Sequence, residues 1–177
     1  MFKLPYTAPT VLTLDDTERA QLESWLAPLP GVMKSFCESH LKLAVTMEAQ
    51  HREMVADQLH EFTALVPLGS GVDTTLGLSI ARPLLLEMTR RFEPDFAAEE
   101  IEALAESVGA EIANTLVGNA TVYFTHLAHR VAIGTPRIVR QDQRAAAIGP
   151  RAFRGFAGQG EAGAFIVFCM RTGEGLT

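Results

Sequence analysis

Three polar residues with helical spacing, Ser107, Glu111 and Asn114, have side chains suited to chemistry. A carboxylate can pair with a cation, and a carboxamide can donate and accept hydrogen bonds at the same time. Side chains that are three or four residues apart share one face of a helix, where they are close neighbours. The spacing therefore predicts a polar site that a single helix can assemble.

The helix that must carry these residues has two distinct faces when successive residues are placed about 100° apart. We define the polar stripe as Ser107, Glu111, Asn114 and Gly118, which share an arc about 60° wide. Its centre lies about 130° from an apolar stripe that should face the core. The polar stripe is therefore expected to face solvent or a partner. The apolar stripe consists of Ile101, Ala105, Val108, Ile112, Leu116 and Tyr123.

Two glycines lie inside this predicted helix, and each costs about 1 kcal/mol relative to alanine. Gly118 lies on the polar stripe, one turn beyond Asn114, where a missing side chain would let another molecule's backbone come close. Gly109 lies off the stripe. Glycines also serve helix packing, and a Glu-x-x-Asn spacing is common on solvated helix faces. The spacing by itself leaves both interpretations open.

The rest of the chain predicts a sheet that could position this helix. β-prone runs separated by turn residues indicate strands, and the glycine-rich residues 69–73 indicate a hairpin between the first two. A hairpin, two helices and then three strands are typical of an α+β fold, with a largely antiparallel sheet covered on one face by two long helices. The predicted strands are residues 62–68, 74–80, 131–139, 152–157 and 164–170.

Prolines and acidic residues set the limits of the predicted helices. Proline is tolerated in a first helical turn and acidic residues are favoured there, because the amide groups at that end are unpaired. Asp95 is the predicted cap of the long helix, and residues 28–31 end the first helix. Residues 32–60 fit either a strand or a helix. The predicted helices are residues 18–26, 84–92 and 97 to about 129.

Composition indicates a folded domain and excludes several classes of protein. The 177 residues are 47% hydrophobic and 20% charged, which suffices to bury a core. A net charge of −6 with scattered arginines provides no basic stripe for nucleic acid. No apolar run predicts a membrane span, and the first ten residues do not have the pattern of a signal peptide. Cys37 and Cys169 are expected to be reduced thiols of a cytoplasmic protein.

The segment around the polar stripe resembles the signature helix of the CheX/CheC/FliY chemotaxis phosphatases. That signature is an acidic residue or serine, three residues, Glu, two residues, Asn, and a proline somewhat over twenty residues further on. Ser107, Glu111 and Asn114 match its spacing, and Pro136 follows Asn114 by 22 positions. Residues 116–120, Leu-Val-Gly-Asn-Ala, are also similar to CheX sequences.

This resemblance implies a domain layout with one site. It covers about residues 61–171, so we expect a CheX-like, CheC-fold domain over 61–177, with residues 1–60 as an N-terminal extension and helix of the same domain. CheC carries two signature helices and CheX carries one. The chain contains only two asparagines, Asn114 and Asn119, so its first half cannot supply a second site. A single-site chain that forms a homodimer by joining sheet edges is implied.

The activity implied by the resemblance is hydrolysis of an aspartyl phosphate on the receiver domain of a CheY-like response regulator. Asn114 would hold the attacking water in line, and Glu111 would pair with a lysine of the receiver. Ser107 and Gly118 would line the contact. The Mg²⁺ would belong to the receiver, so this chain is expected to need no metal or cofactor of its own. A non-catalytic CheX-like adaptor and a domain that senses a small ligand between hairpin and helices remain alternatives.

Two further patterns could suggest chemistry. Gly158, Gly160 and Gly163 match the spacing of a dinucleotide-binding loop, but they precede a predicted strand where that motif requires a helix. We therefore predict a hairpin turn. His126 and His129 could share a helix face, but no further metal ligands occur at a suitable spacing, so a favourable interaction with a helix C-terminus is predicted.

Overall fold

The computed structural model describes residues 13–69, 72–124 and 131–172, which form five α-helices and a seven-stranded sheet. The helices are α1 (Asp16–Leu26), α2 (Leu29–Ser39), α3 (Arg82–Phe92), α4 (Ala98–Ala120) and α5 (Arg144–Ile148). The strands are β1 (Val45–Met47), β2 (Arg52–Met54), β3 (Phe62–Leu68), β4 (Thr74–Ile80), β5 (Arg137–Arg140), β6 (Phe153–Gly160) and β7 (Gly163–Met170).

The sheet is antiparallel throughout, in the order β1-β6-β7-β4-β3-β5, and β2 also pairs with β6. The predicted hairpin strands β3 and β4 are confirmed with their bounds. Strand β6 ends at Gly160 and β7 begins at Gly163, with Gly160 and Gly163 paired. The glycine-rich pattern there is therefore a hairpin, as predicted, and not a dinucleotide-binding loop.

The two faces of the sheet are covered unequally. Successive side chains of a strand point to opposite faces, so each central strand contributes to two separate cores. Helices α1 to α4 and the larger core lie on one face, and α5 lies with a smaller core on the other. The predicted α+β class is confirmed, with four helices on the main face where two long ones were predicted. Strand residues of the larger core include Phe62, Ala64, Val66, Leu76, Leu78, Ile80, Phe165, Val167 and Cys169.

Residues 32–60, which the sequence left open, contain both types of structure. Helix α2 buries Val32 and Phe36, and a 3-10 turn and strands β1 and β2 follow. Helix α1 begins with a capping box, in which Asp15 accepts a hydrogen bond from the Glu18 amide and Glu18 accepts one from the Asp15 amide. Residues of α1 and α2 belong to the same core as α4. The division of the chain at residue 60 stays a prediction.

The strand predicted over residues 131–139 is wrong in its first half. Strand β5 covers only Arg137–Arg140, and before it Ile133 forms an isolated bridge to Leu68. From the pair Leu65–Arg137 to the pair Leu68–Ile133, β3 spans three residues, whereas the segment paired with it spans four. One extra residue therefore bulges out, and Pro136, which has no N–H to donate, lies in this bulge.

Helix α4 is shorter than predicted at both ends. The cap is not Asp95: the helix begins after Ala97, whose amide donates to the Glu100 carboxylate at 2.8 Å. The last turn ends at Ala120, where the Thr121 hydroxyl donates to the Gly118 carbonyl at 2.7 Å and a 3-10 turn follows. Such side-chain bonds compete with the helical pattern at its end.

The end of α4 corrects one predicted core residue. A 3-10 turn advances about 120° per residue instead of 100°, so side chains after Ala120 leave the helical faces. Tyr123, predicted to be buried, is 55% exposed. Phe124 is buried instead, with its ring 4.8 Å from that of Trp25 on α1.

Candidate functional site

All four residues of the polar stripe lie on α4 and are accessible. Ser107 and Glu111 are exposed, while Asn114 and Gly118 are half-buried. Every residue of the predicted apolar stripe except Tyr123 is buried, and all of these but Ile101 belong to the larger core. The structure therefore orients α4 as the helical wheel predicted, with the polar stripe facing outward.

Within the described part of the chain, the side chains of Ser107, Glu111 and Asn114 have no hydrogen-bond or ion-pair partner. Two other glutamates of the same helix differ in this respect. Glu102 pairs with Arg82, and Glu106 Oε2 lies 3.1 Å from an amino nitrogen of Arg140. These ion pairs connect α4 to α3 and β5. The polar groups of the stripe thus stay available to an external molecule.

Packing accounts for one of the two helix glycines. A Cβ added to Gly109 would lie 2.5 Å from Cζ of Phe62 and 2.9 Å from Cδ1 of Leu85, both core residues. Such distances are far below a normal carbon–carbon contact of about 3.5–4.0 Å. Gly109 therefore lets α4 lie directly on β3 and α3.

Packing does not account for Gly118. The nearest heavy atom to an added Cβ is Ile133 Cδ1 at 3.9 Å, which is an ordinary van der Waals contact. Alanine would fit there and would favour the helix by about 1 kcal/mol. A glycine on the polar stripe that the fold itself does not require agrees with the interpretation that another molecule approaches closely.

The edge segment, residues 131–136 before β5, borders the end of the polar stripe. The Gly134 amide donates to the Pro67 carbonyl, and the Gly69 amide donates to the Ala132 carbonyl, each at 2.8 Å. These bonds hold the segment against the end of β3 and bring Ile133 beside Gly118. The bulge that contains Pro136 follows immediately.

Sequence reasoning missed the exposed apolar side chains at this end of α4. Val122 and Ile133 are 67% and 37% exposed, beside the exposed Tyr123. The available signal was the position of Val122, four residues after Gly118 and so in line with the polar stripe. That signal assumes an unbroken helix, whereas the positions of both Val122 and Tyr123 depend on the change from an α-helix to a 3-10 turn.

Among the described residues, the crevice that β3 and β5 form with α3 and α4 is smaller than a usual ligand pocket. Its volume is about 40 Å³, and its lining includes Phe62, Leu85 and Ile138. Ligand pockets usually measure about 300–1,000 Å³. A larger surface cleft of about 450 Å³ contains Arg171, whose guanidinium already pairs with Glu18 and Asp73. Neither cavity includes a residue of the polar stripe.

Other reactive groups offer no competing site among the described residues. Cys37 and Cys169 are unpaired thiols in the core, and burial raises the pKa of Cys37 to about 12 and that of Cys169 well above its usual value. No three His, Cys, Asp or Glu side chains of the described ranges cluster as metal ligands would. His126 and His129 lie outside those ranges. No described helix is long and apolar enough to cross a membrane.

Comparison with known proteins identifies the fold through solved structures. No protein-family model matches the sequence, and no curated protein matches it significantly. CheX from Desulfovibrio desulfuricans superimposes with a TM-score of 0.66 at 9% identity, covering 82% of this chain and 97% of that one. FliY from Thermotoga maritima does so with a TM-score of 0.60 at 16% identity, covering 88% of this chain and 90% of that one.

A chain of the CheX–CheY–BeF3–Mg²⁺ complex from Borrelia burgdorferi matches with a TM-score of 0.58 at 14% identity, covering 82% of this chain and 95% of that one. A match over 82% of the chain extends beyond residues 61–171, the part that resembles the family in sequence. The resemblance predicted from the signature helix is thus confirmed at the level of architecture. The chain adopts the fold of the CheX, CheC-like and FliY chemotaxis proteins.

Proposed function

We propose that this chain is a single-site, CheX-like phosphatase that hydrolyses the aspartyl phosphate of a CheY-like receiver domain. The observation that carries the proposal is the outward-facing pair of Glu111 and Asn114, without internal partners among the described residues, on the long helix of a CheX-like fold. Support for the partner class comes from the relative in Borrelia burgdorferi, whose CheX was crystallised with CheY, BeF3 and Mg²⁺.

In the proposed reaction Asn114 positions the attacking water. Its amide oxygen accepts a hydrogen bond from the water, and its amide nitrogen can donate to the phosphoryl group. The water oxygen then forms a bond to phosphorus while the bond from phosphorus to the aspartate oxygen breaks, which releases the free carboxylate and a dihydrogen phosphate that keeps both protons of the water. Phosphoryl transfer depends mainly on such positioning and on electrostatic stabilisation. Because Asn114 is half-buried, its side chain has less freedom than that of a fully exposed residue.

Glu111 is proposed to hold the two proteins in register. Its exposed carboxylate lies one turn before Asn114 and would pair with a lysine of the receiver. Ser107 and Gly118 extend the contact in both directions along the helix. The Mg²⁺ that neutralises phosphoryl charge would be held by the receiver, and the complex would form in the cytoplasm between a receiver and a homodimer of this chain.

The proposal is tested by the rate at which phosphorylated receiver domains lose phosphate with and without this protein. Asn114→Ala is expected to lower the stimulated rate by a factor on the order of 10² or more, because the water loses its positioning group. Asn119→Ala is the matched control. Asn119 is the chain's other asparagine, exposed on the same helix but about 140° around the axis from Asn114, so this variant should keep the wild-type rate.

Three results would contradict the proposal in different ways. A fully active Asn114→Ala protein would remove Asn114 from the mechanism. Equal losses in the Asn114 and Asn119 variants would indicate a general effect on the helix. Receiver binding without any acceleration by the wild-type protein would establish the non-catalytic adaptor.

A further inference from the structure

The exposed apolar side chains of the described residues are concentrated at one end of α4. Among the described residues only four large hydrophobic side chains are exposed, and three of them lie near the C-terminal end of α4: Val122, Tyr123 and Ile133. We call these three residues the apolar patch. The fourth, Phe96, is 43% exposed just before the opposite end of the helix. Large apolar side chains grouped in this way on an otherwise polar surface often mark an interaction site.

The apolar patch is continuous with the polar stripe. Val122 lies in the 3-10 turn that directly follows α4, so it extends the surface just beyond the C-terminal end of the polar stripe. Ile133 Cδ1 is 3.9 Å from the position of a Cβ on Gly118, so this side chain borders the polar stripe at Gly118. The order along the surface is therefore Glu111, Asn114, Gly118 and then the apolar patch.

The dimensions of a protein contact decide what this surface can hold. A standard interface buries about 800 Å² per partner, which corresponds to a disc of about 16 Å radius. Centred on Asn114, such a disc reaches Val122, because Ala120 is about 9 Å further along the helix and two residues of the 3-10 turn add about 4 Å. It does not reach Phe96, since Ala98 is already about 24 Å from Asn114. A folded domain whose contact is centred on Asn114 therefore covers the near part of the patch, whereas a small phosphorylated molecule would leave the patch exposed.

The polar stripe alone is poorly suited to supply the binding energy of such a contact. Exposed ion pairs contribute about 0–1 kcal/mol each, and Glu111 is exposed. Binding energy in protein interfaces comes mainly from a few side chains that become fully buried, most often Trp, Tyr and Arg. Tyr123 is a side chain of this type beside the site, and Val122 adds apolar surface next to it.

We propose that the apolar patch is the affinity-determining surface on which the receiver domain docks, while Asn114 positions the water at the phosphoryl group and Glu111 keeps the two proteins in register. This inference rests on the proposed function and separates it into two parts. The patch determines how tightly the receiver binds, and the polar pair determines how fast the aspartyl phosphate of the bound receiver is hydrolysed.

The test measures binding and turnover separately on the full-length protein. Affinity is measured by titration with a CheY-like receiver held in its activated state by BeF3 and Mg²⁺, and turnover is measured with the phosphorylated receiver. Val122→Asp and Tyr123→Ser should each weaken binding about tenfold or more and raise KM to match, with kcat nearly unchanged. Phe96→Asp is the matched control and should leave both quantities at the wild-type value. Circular dichroism and thermal unfolding verify that each variant is folded.

Every outcome of this design bears on the proposal. Wild-type affinity in both patch variants overturns the docking surface while leaving the phosphatase proposal intact. Binding that depends on the patch, but without hydrolysis by the wild-type protein, supports the docking surface and overturns the enzymatic proposal. If Val122→Asp instead turns a dimer into a monomer in sedimentation, the patch holds a second copy of this chain and the docking inference is wrong. No binding of any receiver by the wild-type protein overturns both.

Discussion

The substitution Gly118→Ala tests whether the polar stripe is kept open for a partner, because it should stabilise the fold and lower the activity of the site. The backbone of Gly118 is helical, so alanine gains up to about 1 kcal/mol of helix propensity. Its Cβ would meet Ile133 Cδ1 at 3.9 Å, so no neighbour must move. For a domain of this size the gain corresponds to an increase in Tm of about 2–4 °C.

Gly109→Ala is the control for this prediction, since it makes the same chemical change on the same helix in closed surroundings. The new methyl group would lie 2.5 Å from Phe62 Cζ and 2.9 Å from Leu85 Cδ1. Overpacking of this kind costs about 1–3 kcal/mol, against the same propensity gain of about 1 kcal/mol. We expect a net loss of about 0–2 kcal/mol, with the activity of the folded molecules unchanged because Gly109 lies off the polar stripe.

The assay pairs thermal unfolding of each variant with receiver dephosphorylation at a receiver concentration below KM. The Gly118→Ala methyl group would stand between α4 and an approaching backbone, and about a tenfold loss of kcat/KM is expected, since small displacements at a positioned site have large effects. A Gly118→Ala protein that is stabilised and fully active would refute close approach as the reason for this glycine. A destabilised one would contradict the open surroundings.

Two further predictions concern groups away from the site. Burial raises the pKa of Cys37 to about 12 and that of Cys169 well above its usual value. Neither thiol should therefore react with Ellman's reagent at pH 8 in the native protein, and both should react after unfolding in urea. Rapid labelling of the native protein would contradict the burial of these thiols. Partial burial lowers the pKa of His60 below its usual 6.5, so the unfolded chain takes up this proton first as the pH falls. The free energy of unfolding should therefore decrease as the pH drops below about 6.5. In urea titrations at pH 7.5 and 5.5, His60→Gln should reduce the difference in this free energy between the two pH values. An unchanged difference would exclude His60 as its source.

The parts of the fold that were predicted from the sequence depend on local periodicity. Strands β3 and β4 have the predicted bounds because a run of β-prone residues and a glycine-rich turn are both local features. The outward face of α4 was predictable for the same reason, since burial follows from residue spacing once the helix exists. The residue that caps α4 was not predictable in this way. Both Asp95 and Glu100 have carboxylates that can accept a hydrogen bond from the amides of the first turn, and only the observed start after Ala97 decides between them.

The sequence by itself determined which side chains share the polar stripe, that only one Glu-x-x-Asn helix is available, and that a sheet must lie beneath it. Only the tertiary structure decided that Gly109 is a packing residue while Gly118 is not, because the two glycines differ in the neighbours that distant segments place beside them. It also decided that α4 ends at Ala120 and that Tyr123 points outward. The apolar patch exists for that reason. Ile133 joins it because the edge segment pairs with Leu68 of β3, 65 residues earlier in the chain, and no local pattern encodes that pairing.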